Sequence, residues 1–200
     1  MTISWLGQNC FKIEGKNTTV VIDPFEGSTG NRMPKTAADL LLLPRPFPVK
    51  GRDFLKDDTF TIESPGEYEV KEVLVEGQAA GASKETVFHF VIDGVHCGHL
   101  GNQKILDETA AELLEGVDIL FVPVGGSEVF SPSEAAEVVN KIEPRVIIPM
   151  HFKEPAAPKR EPVNSFAKEV GQANVEHLKK FAVTKKDLPN DETKLVVLDA

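Results

Sequence analysis

Histidine side chains supply the candidates for chemistry in this 200-residue sequence. The segment His96-Cys97-Gly98-His99 carries ligand types that metals favour. On an extended strand residues 96 and 99 point to opposite faces, so both reach one ion only if a bulge intervenes. His151 directly follows a predicted buried strand at 145–149. It is therefore either a candidate acid–base group in a cleft or a hydrogen-bonded structural residue.

Two other kinds of catalytic motif are absent from the sequence. No serine or cysteine lies in a GxSxG nucleophile elbow. Gly125-Gly126 precedes a predicted helix but lacks the lysine of a P-loop, so we expect a backbone turn there. Cys10 and Cys97 are the two cysteines, too few for a disulfide framework, and we expect them to be small core residues. This cysteine usage predicts a reduced, cytoplasmic protein.

Composition and charge narrow the class of protein. The hydrophobic fraction of 41% and the charged fraction of 26% are ordinary for a globular domain, and we expect one domain over residues 1–200. The net charge of −9 disfavours nucleic acid as a partner, because binding to phosphates needs a basic face. No apolar run reaches the length needed to span a membrane, so we expect no membrane partner.

The hydrophobic pattern changes character halfway along the chain. Alternating and β-branched runs predict strands in the first half, whereas strands and helices alternate in the second. Ser131-Pro132-Ser133-Glu134 has the serine, proline and glutamate of a capped helix start. Composition and pattern together predict an α/β or α+β fold. The predicted strands lie at 10–14, 18–23, 39–43, 60–63, 67–70, 73–76, 86–92, 95–100, 118–123, 145–149 and 195–198, and the predicted helices at 105–114, 132–142 and 163–170.

Six segments, in order along the chain, carry a family resemblance. They are WLGQNCFKIE at 5–14, IDPF at 22–25, SPGEYEV at 64–70, HLGN at 99–102, DILFVPVGG at 118–126 and PRVIIPMH at 144–151. Together they resemble the metallo-β-lactamase superfamily, in particular the small hydrolases related to ascorbate-6-phosphate lactonases. The resemblance implies a four-layer αββα sandwich with a cleft at the strand ends. In that family the cleft holds divalent metal that activates a water for attack.

The metal ligands that the resemblance implies are mostly missing. The HxHxDH positions fall on Arg45, Phe47, Val49 and Lys50, and no histidine occurs at 77–83. The bridging aspartate position is occupied by the amide Asn102, while His151 retains the last histidine position. A catalytic zinc needs about three protein ligands. We therefore expect no metal cofactor. If the site is rewired, His99, His151 and Asp23 would hold zinc or manganese.

The residual cleft is expected to contain charged groups beside His151. Arg45 and Lys50 would place positive charge where the family holds metal, and one of them would pair with Asp23 or Glu67. Alternatively, both cations are solvated, or Arg45 binds a small anion. The predicted residual cleft consists of Asp23, Arg45, Lys50, Glu67, His99 and Asn102.

Two functional hypotheses follow from these residues. The first is a pseudoenzyme, a non-catalytic member of the family that serves ligand binding or protein interaction, with Phe47, Val49 and nearby prolines filling the cleft. The alternative is a hydrolase of a small, phosphorylated substrate that uses a rewired or metal-independent site around His151. The first hypothesis is preferred, because three prolines within residues 44–48 favour a rigid segment that fills the cleft over a flexible loop that binds a ligand. A homo-oligomer and a small anionic ligand are the expected partners.

Overall fold

The computed structural model describes residues 1–25, 33–48, 53–55, 58–82, 84–155 and 157–200. Lys50 and Val49 lie outside these described residues, as do the expectations attached to them. The described chain forms two large β-sheets, one two-stranded sheet and three α-helices. None of the helices in these ranges is long and apolar enough to cross a membrane.

The first sheet begins with the amino-terminal strands. Its order is β13-β1-β2-β3-β4-β5, with antiparallel pairing from β13 to β3 and parallel pairing from β3 to β5. Strands β3 and β4 consist of apolar residues that are largely buried, because this part of the sheet is covered on both faces. The strands are β1 (Thr2–Gly7), β2 (Cys10–Glu14), β3 (Thr19–Ile22), β4 (Leu40–Leu42), β5 (Phe60–Ile62) and β13 (Phe181–Ala182).

The second sheet combines an antiparallel meander with parallel strands. Its order is β14-β11-β10-β9-β8-β7-β6, and pairing becomes parallel from β9 onwards to β14. A short parallel pair, β12-β15, lies apart from it. The strands are β6 (Gly66–Val70), β7 (Val73–Ala80), β8 (Glu85–Ile92), β9 (Val95–His99), β10 (Ile119–Pro123), β11 (Val146–Met150), β12 (His177–Leu178), β14 (Lys194–Leu195) and β15 (Val197–Leu198).

The two large sheets pack face to face around one continuous core. Phe11 of β2 contacts Phe121 of β10, with ring centroids 4.5 Å apart, and both side chains are fully buried. The sandwich and the mixed α/β class are therefore confirmed. The outer face of the first sheet carries a second apolar cluster that includes Cys10, Val21 and Leu41. In the described ranges, the helices pack on the second sheet or on each other.

The helices follow local capping signals. Helix α2 (Pro132–Ile142) has the predicted capping box of Ser131 and Glu134, and α3 (Val163–Glu169) packs against it. The prediction that a helix begins at residue 105 is wrong. Helix α1 (Glu108–Leu113) starts later because the carboxylate of Asp107 accepts the Ala110 amide at 2.9 Å. That side chain makes residue 107 the cap.

Candidate functional site

Asn9 connects the polar side chains at the strand ends. It lies in the turn between β1 and β2 and is 2% exposed. Its Nδ2 donates to Asn102 Oδ1 at 2.5 Å and to Asp23 Oδ2 at 3.3 Å. Its Oδ1 lies 2.9 Å from His151 Nδ1. Asn9 was not among the predicted site residues, because its burial and its contact with His151 become visible only in the folded chain.

Arg45 pairs with Asp23, the first of the two partners considered for it. Its Nη2 lies 2.9 Å from Asp23 Oδ1 and its Nη1 3.2 Å from Oδ2, so the guanidinium uses a two-pronged contact. Glu85 Oε2 is 3.8 Å from Nη1. The two residues meet because Asp23 and Arg45 follow the neighbouring parallel strands β3 and β4. Both oxygens of the buried carboxylate are thereby engaged by a cation.

His99 is held by hydrogen bonds on both ring nitrogens. Its Nε2 donates to the Asn9 carbonyl at 3.0 Å, and its Nδ1 accepts the Gly101 amide at 3.2 Å. The ring is fully buried, and this burial lowers its pKa. His99 is therefore a structural residue beside the site. A rewired metal centre using His99, His151 and Asp23 would require these hydrogen bonds of His99 to be replaced, and it stays a prediction.

Glu67 lies outside the cleft, so its prediction as a cleft residue is wrong. Glu67 on β6 is paired with Glu76 on β7, and Glu76 is in turn paired with His89 on β8. His99 pairs instead with Phe88, in the adjacent row. Successive rows face opposite sides of a sheet. Glu67 therefore points to the outer face, and its exposed position on the edge strand β6 agrees with this.

The backbone around His151 is held in an unusual conformation. His151 has a φ of 57°, and its amide donates to the Gln8 carbonyl at 2.9 Å. The Trp5 indole donates to that same carbonyl at 3.0 Å. A Cβ on Gly125 would lie 1.9 Å from the His151 carbonyl oxygen, so only glycine permits this close approach. The left-handed conformation of a bulky residue at a strand end is typical of a functional site.

The His151 ring borders a cavity of about 350 Å³. Because Asn9 must direct its amide nitrogen to the Asp23 carboxylate, its oxygen faces His151 and accepts a hydrogen bond from Nδ1. In this tautomer Nε2 has a free lone pair, and it makes no hydrogen bond with any described residue. The cavity is lined by His151 together with Gly126, Ser127, Glu128, Ala157, Pro158, Lys159 and Arg160.

Burial lowers the pKa of His151 to about 3, and the positive charges of Arg160 and Arg45 contribute to the shift. His151 is therefore neutral at physiological pH. In the unfolded chain its pKa is about 6.5. Protonation thus favours the unfolded state, and the stability associated with neutral His151 is complete above about pH 6.5 and declines as pH falls toward 3.

This linkage predicts a measurable pH dependence of stability. Between about pH 6.5 and about pH 5, the free energy of unfolding of the wild type should fall more steeply than that of His151→Gln. The difference between the two slopes should be about 1 kcal/mol per pH unit. Urea unfolding of both proteins across this range measures the difference. Parallel curves for the two proteins would contradict the lowered pKa.

The residues present do not fit a catalytic divalent metal. Asp23 is occupied by Arg45, and the ring nitrogens of His99 are both hydrogen-bonded. Within the described ranges, no three His, Cys, Asp or Glu side chains are grouped so that they could hold an ion. About three such ligands are needed. The Arg45 guanidinium also opposes a cation electrostatically.

Comparison with known proteins identifies the family. Residues 2–151 match the beta-lactamase superfamily domain, and the chain belongs to this family. A crystal structure from Thermotoga maritima is described as a proposed Zn-dependent hydrolase of the metallo-β-lactamase superfamily. It is 30% identical, with a TM-score of 0.84, and the alignment covers 98% of this chain and 97% of that one.

Curated relatives carry similar names. A UPF0173 protein of Pyrococcus furiosus is 30% identical over 76% of this chain and 83% of its own length. A protein of Thermococcus onnurineus named UPF0173 metal-dependent hydrolase is 29% identical over 54% of this chain and 43% of its own length. The names of several relatives thus describe metal-dependent hydrolases.

The preferred hypothesis of a non-catalytic protein is wrong in the light of these relatives, which point to a hydrolase. The structure also contradicts one expectation on which that hypothesis was based. Phe47 was expected to fill the cleft, but it packs with Phe54 on the outer face of the first sheet, with ring centroids 6.3 Å apart. The error was to equate missing metal ligands with missing chemistry. His151 keeps an oriented ring and a cavity beside it.

Proposed function

We propose that this protein is a hydrolase of a small, phosphorylated substrate, with His151 accepting the proton of the attacking water. The observation that carries the proposal is the state of the His151 ring. Its Nδ1 is bound to Asn9, whereas Nε2 is unpartnered among the described residues, on a ring that borders the 350 Å³ cavity. A base oriented by a second polar group is the recurrent arrangement of general-base catalysis.

A chain of polar contacts supports this role by fixing the tautomer. Arg45 holds the Asp23 carboxylate, and Asp23 together with Asn102 accepts from the Asn9 amide nitrogen. The Asn9 oxygen is thereby directed to His151 Nδ1. The proton must then reside on Nδ1, which leaves Nε2 as the basic nitrogen. Asn9, Asp23 and Arg45 are positioning residues in this scheme.

The proposed step transfers one proton in each direction. Water attacks the electrophilic centre of the substrate, and Nε2 takes a proton from it as the new bond to oxygen forms. The bond to the leaving oxygen then breaks, and the His151 imidazolium returns the proton to that oxygen. The enzyme is regenerated and no oxidant or reductant is required.

An anionic substrate would make His151 a better base. Burial together with two arginines keeps its pKa near 3 in the free protein. Negative charge bound beside Arg160 or Arg45 would offset part of this effect and raise the pKa toward neutrality. This reasoning favours a phosphorylated substrate over a neutral one. The reaction is proposed to be metal-independent, with Arg45 neutralising the Asp23 carboxylate of the cleft.

The proposal is tested by a substrate screen on the full chain. The probes are p-nitrophenyl phosphate, bis-p-nitrophenyl phosphate and a phosphorylated lactone, with His151→Gln assayed in parallel. The expected result is turnover of a phosphorylated probe by the wild type that is lost in the variant. Absence of hydrolysis of all probes, or equal turnover in both proteins, would overturn the proposal.

A further inference from the structure

Arg160 has unused hydrogen-bond donors beside His151. Its side chain is 18% exposed, and Nη1 lies 3.3 Å from Glu154 Oε1. A guanidinium has five N–H donors. The Glu154 contact is the one hydrogen bond that the Arg160 guanidinium makes to the described residues. Partly buried donors that line a cavity and have no acceptor among the described residues are available to a ligand.

Arg45 differs from Arg160 in this respect. Its two terminal nitrogens are engaged by both oxygens of Asp23. A guanidinium that already holds a carboxylate in this manner has little capacity for a second anion. Of the two arginines that lower the pKa of His151, Arg160 is therefore the one available to a substrate.

We propose that Arg160 is the anion-binding residue of the cavity beside His151 and that it binds the phosphoryl oxygens of the substrate. This inference rests on the proposed function and specifies its substrate contact. The planar fork of arginine matches two oxygens of a phosphate. Lys159, exposed at the rim of the same cavity, adds a second positive charge. A volume of about 350 Å³ suits a small ligand.

The segment that carries Arg160 is fixed by its own contacts. The Lys153 amide donates to the Glu161 carbonyl at 2.8 Å, and the Glu161 amide donates to the Gly125 carbonyl at 3.0 Å. Glu154 is largely buried and also accepts the Gln8 amide at 3.3 Å. These contacts hold the Arg160 guanidinium beside the strand end that carries His151. Glu154 is thus a positioning residue for Arg160.

One acidic residue opposes anion binding and provides a sharp test. Glu128 is exposed, lines the same cavity and lies close enough to raise the pKa of Arg160. Removing its charge should strengthen binding of an anion, whereas removing Arg160 should weaken it. Opposite effects of two substitutions in one cavity cannot come from a change in overall stability alone.

The test is calorimetric titration of the full chain with inorganic phosphate at neutral pH and constant ionic strength. The expected result is binding that weakens about tenfold or more in Arg160→Gln. Binding should tighten about twofold to threefold in Glu128→Gln. Lys141→Gln, which removes an exposed charge from α2, should bind as the wild type does. Because Arg160→Gln leaves Glu154 unpaired, the double variant Arg160→Gln/Glu154→Gln is measured as well.

The outcomes separate this inference from the proposed function. No phosphate binding by the wild type, or unchanged binding in both Arg160 variants, would overturn the assignment of Arg160. If His151→Gln still abolished hydrolysis in that case, the proposed function would stand. Conversely, loss of phosphate binding in the Arg160 variants without hydrolysis of any probe would support the anion site and contradict the hydrolase.

Discussion

Replacement of His151 by glutamine is expected to lower kcat by about 10²- to 10⁴-fold, the usual effect of removing a general base. Glutamine can still donate a hydrogen bond to Asn9 Oδ1, so the strand end should remain intact. It cannot take a proton from water. Steady-state kinetics on the substrate found by the screen measures the effect, and KM should change much less than kcat.

The control for this variant is His177→Gln. His177 is exposed on β12 and contacts Asp199 at 2.9 Å, and it does not line the His151 cavity. Its replacement should leave kcat unchanged. If His151→Gln retained kcat within about threefold of wild type, a general-base role worth at least 10²-fold would be excluded.

Replacement of Arg45 by methionine is expected to lower the free energy of unfolding by about 3 kcal/mol. Asp23 is 2% exposed and would be left without its cationic partner, and breaking a buried pair from one side is costly. The estimate lies at the low end of the usual range because the Arg45 side chain is 33% exposed. Urea unfolding at neutral pH measures the loss.

A double variant and a surface control sharpen this prediction. Arg45→Met/Asp23→Asn removes both charges and should recover part of the stability, because no buried charge then remains unpaired. Lys71→Met breaks the exposed contact of Lys71 with Asp39 and should cost much less stability than Arg45→Met, because solvent screens an exposed ion pair. A single Arg45 variant as stable as the wild type would contradict the view that this pair neutralises the cleft.

Local signals predicted most of the fold. The capping box of Ser131 and Glu134 gave the start of α2 correctly, because a cap depends on residues a few positions apart. The start of α1 was wrong because the apolar spacing continued upstream of Asp107, whose side chain ends the extended chain and begins the helix. Two signals competed there, and the cap determined the outcome.

The site was predictable only where strand ends were recognisable. Asp23 and Arg45 each follow a clear apolar strand, so their meeting could be anticipated from the sequence. Glu67 was misplaced because the face of an edge strand depends on its register with the next strand. The contact of Asn9 with His151 spans 142 positions in the chain, and no local sequence pattern predicts it.

Arg160 illustrates a further limit of sequence reasoning. It lies in the proline-rich segment between Ala157 and Pro162, and no motif in the sequence singles it out. The cavity beside it depends on a contact between distant positions, in which the Glu161 amide donates to the Gly125 carbonyl. A lone arginine in a proline-rich loop is otherwise expected to be a solvated surface charge. Its partial burial and its donors without an acceptor among the described residues distinguish it.

Hydrolysis at His151 without a bound metal is tested by assaying metal-stripped protein. Metal content is measured by elemental mass spectrometry on the same sample that is assayed. We expect full turnover at less than roughly 0.1 equivalents of metal per chain, and no gain on adding zinc, manganese or iron. Loss of turnover on chelation, with recovery on adding about one equivalent of one of these metals, would contradict it.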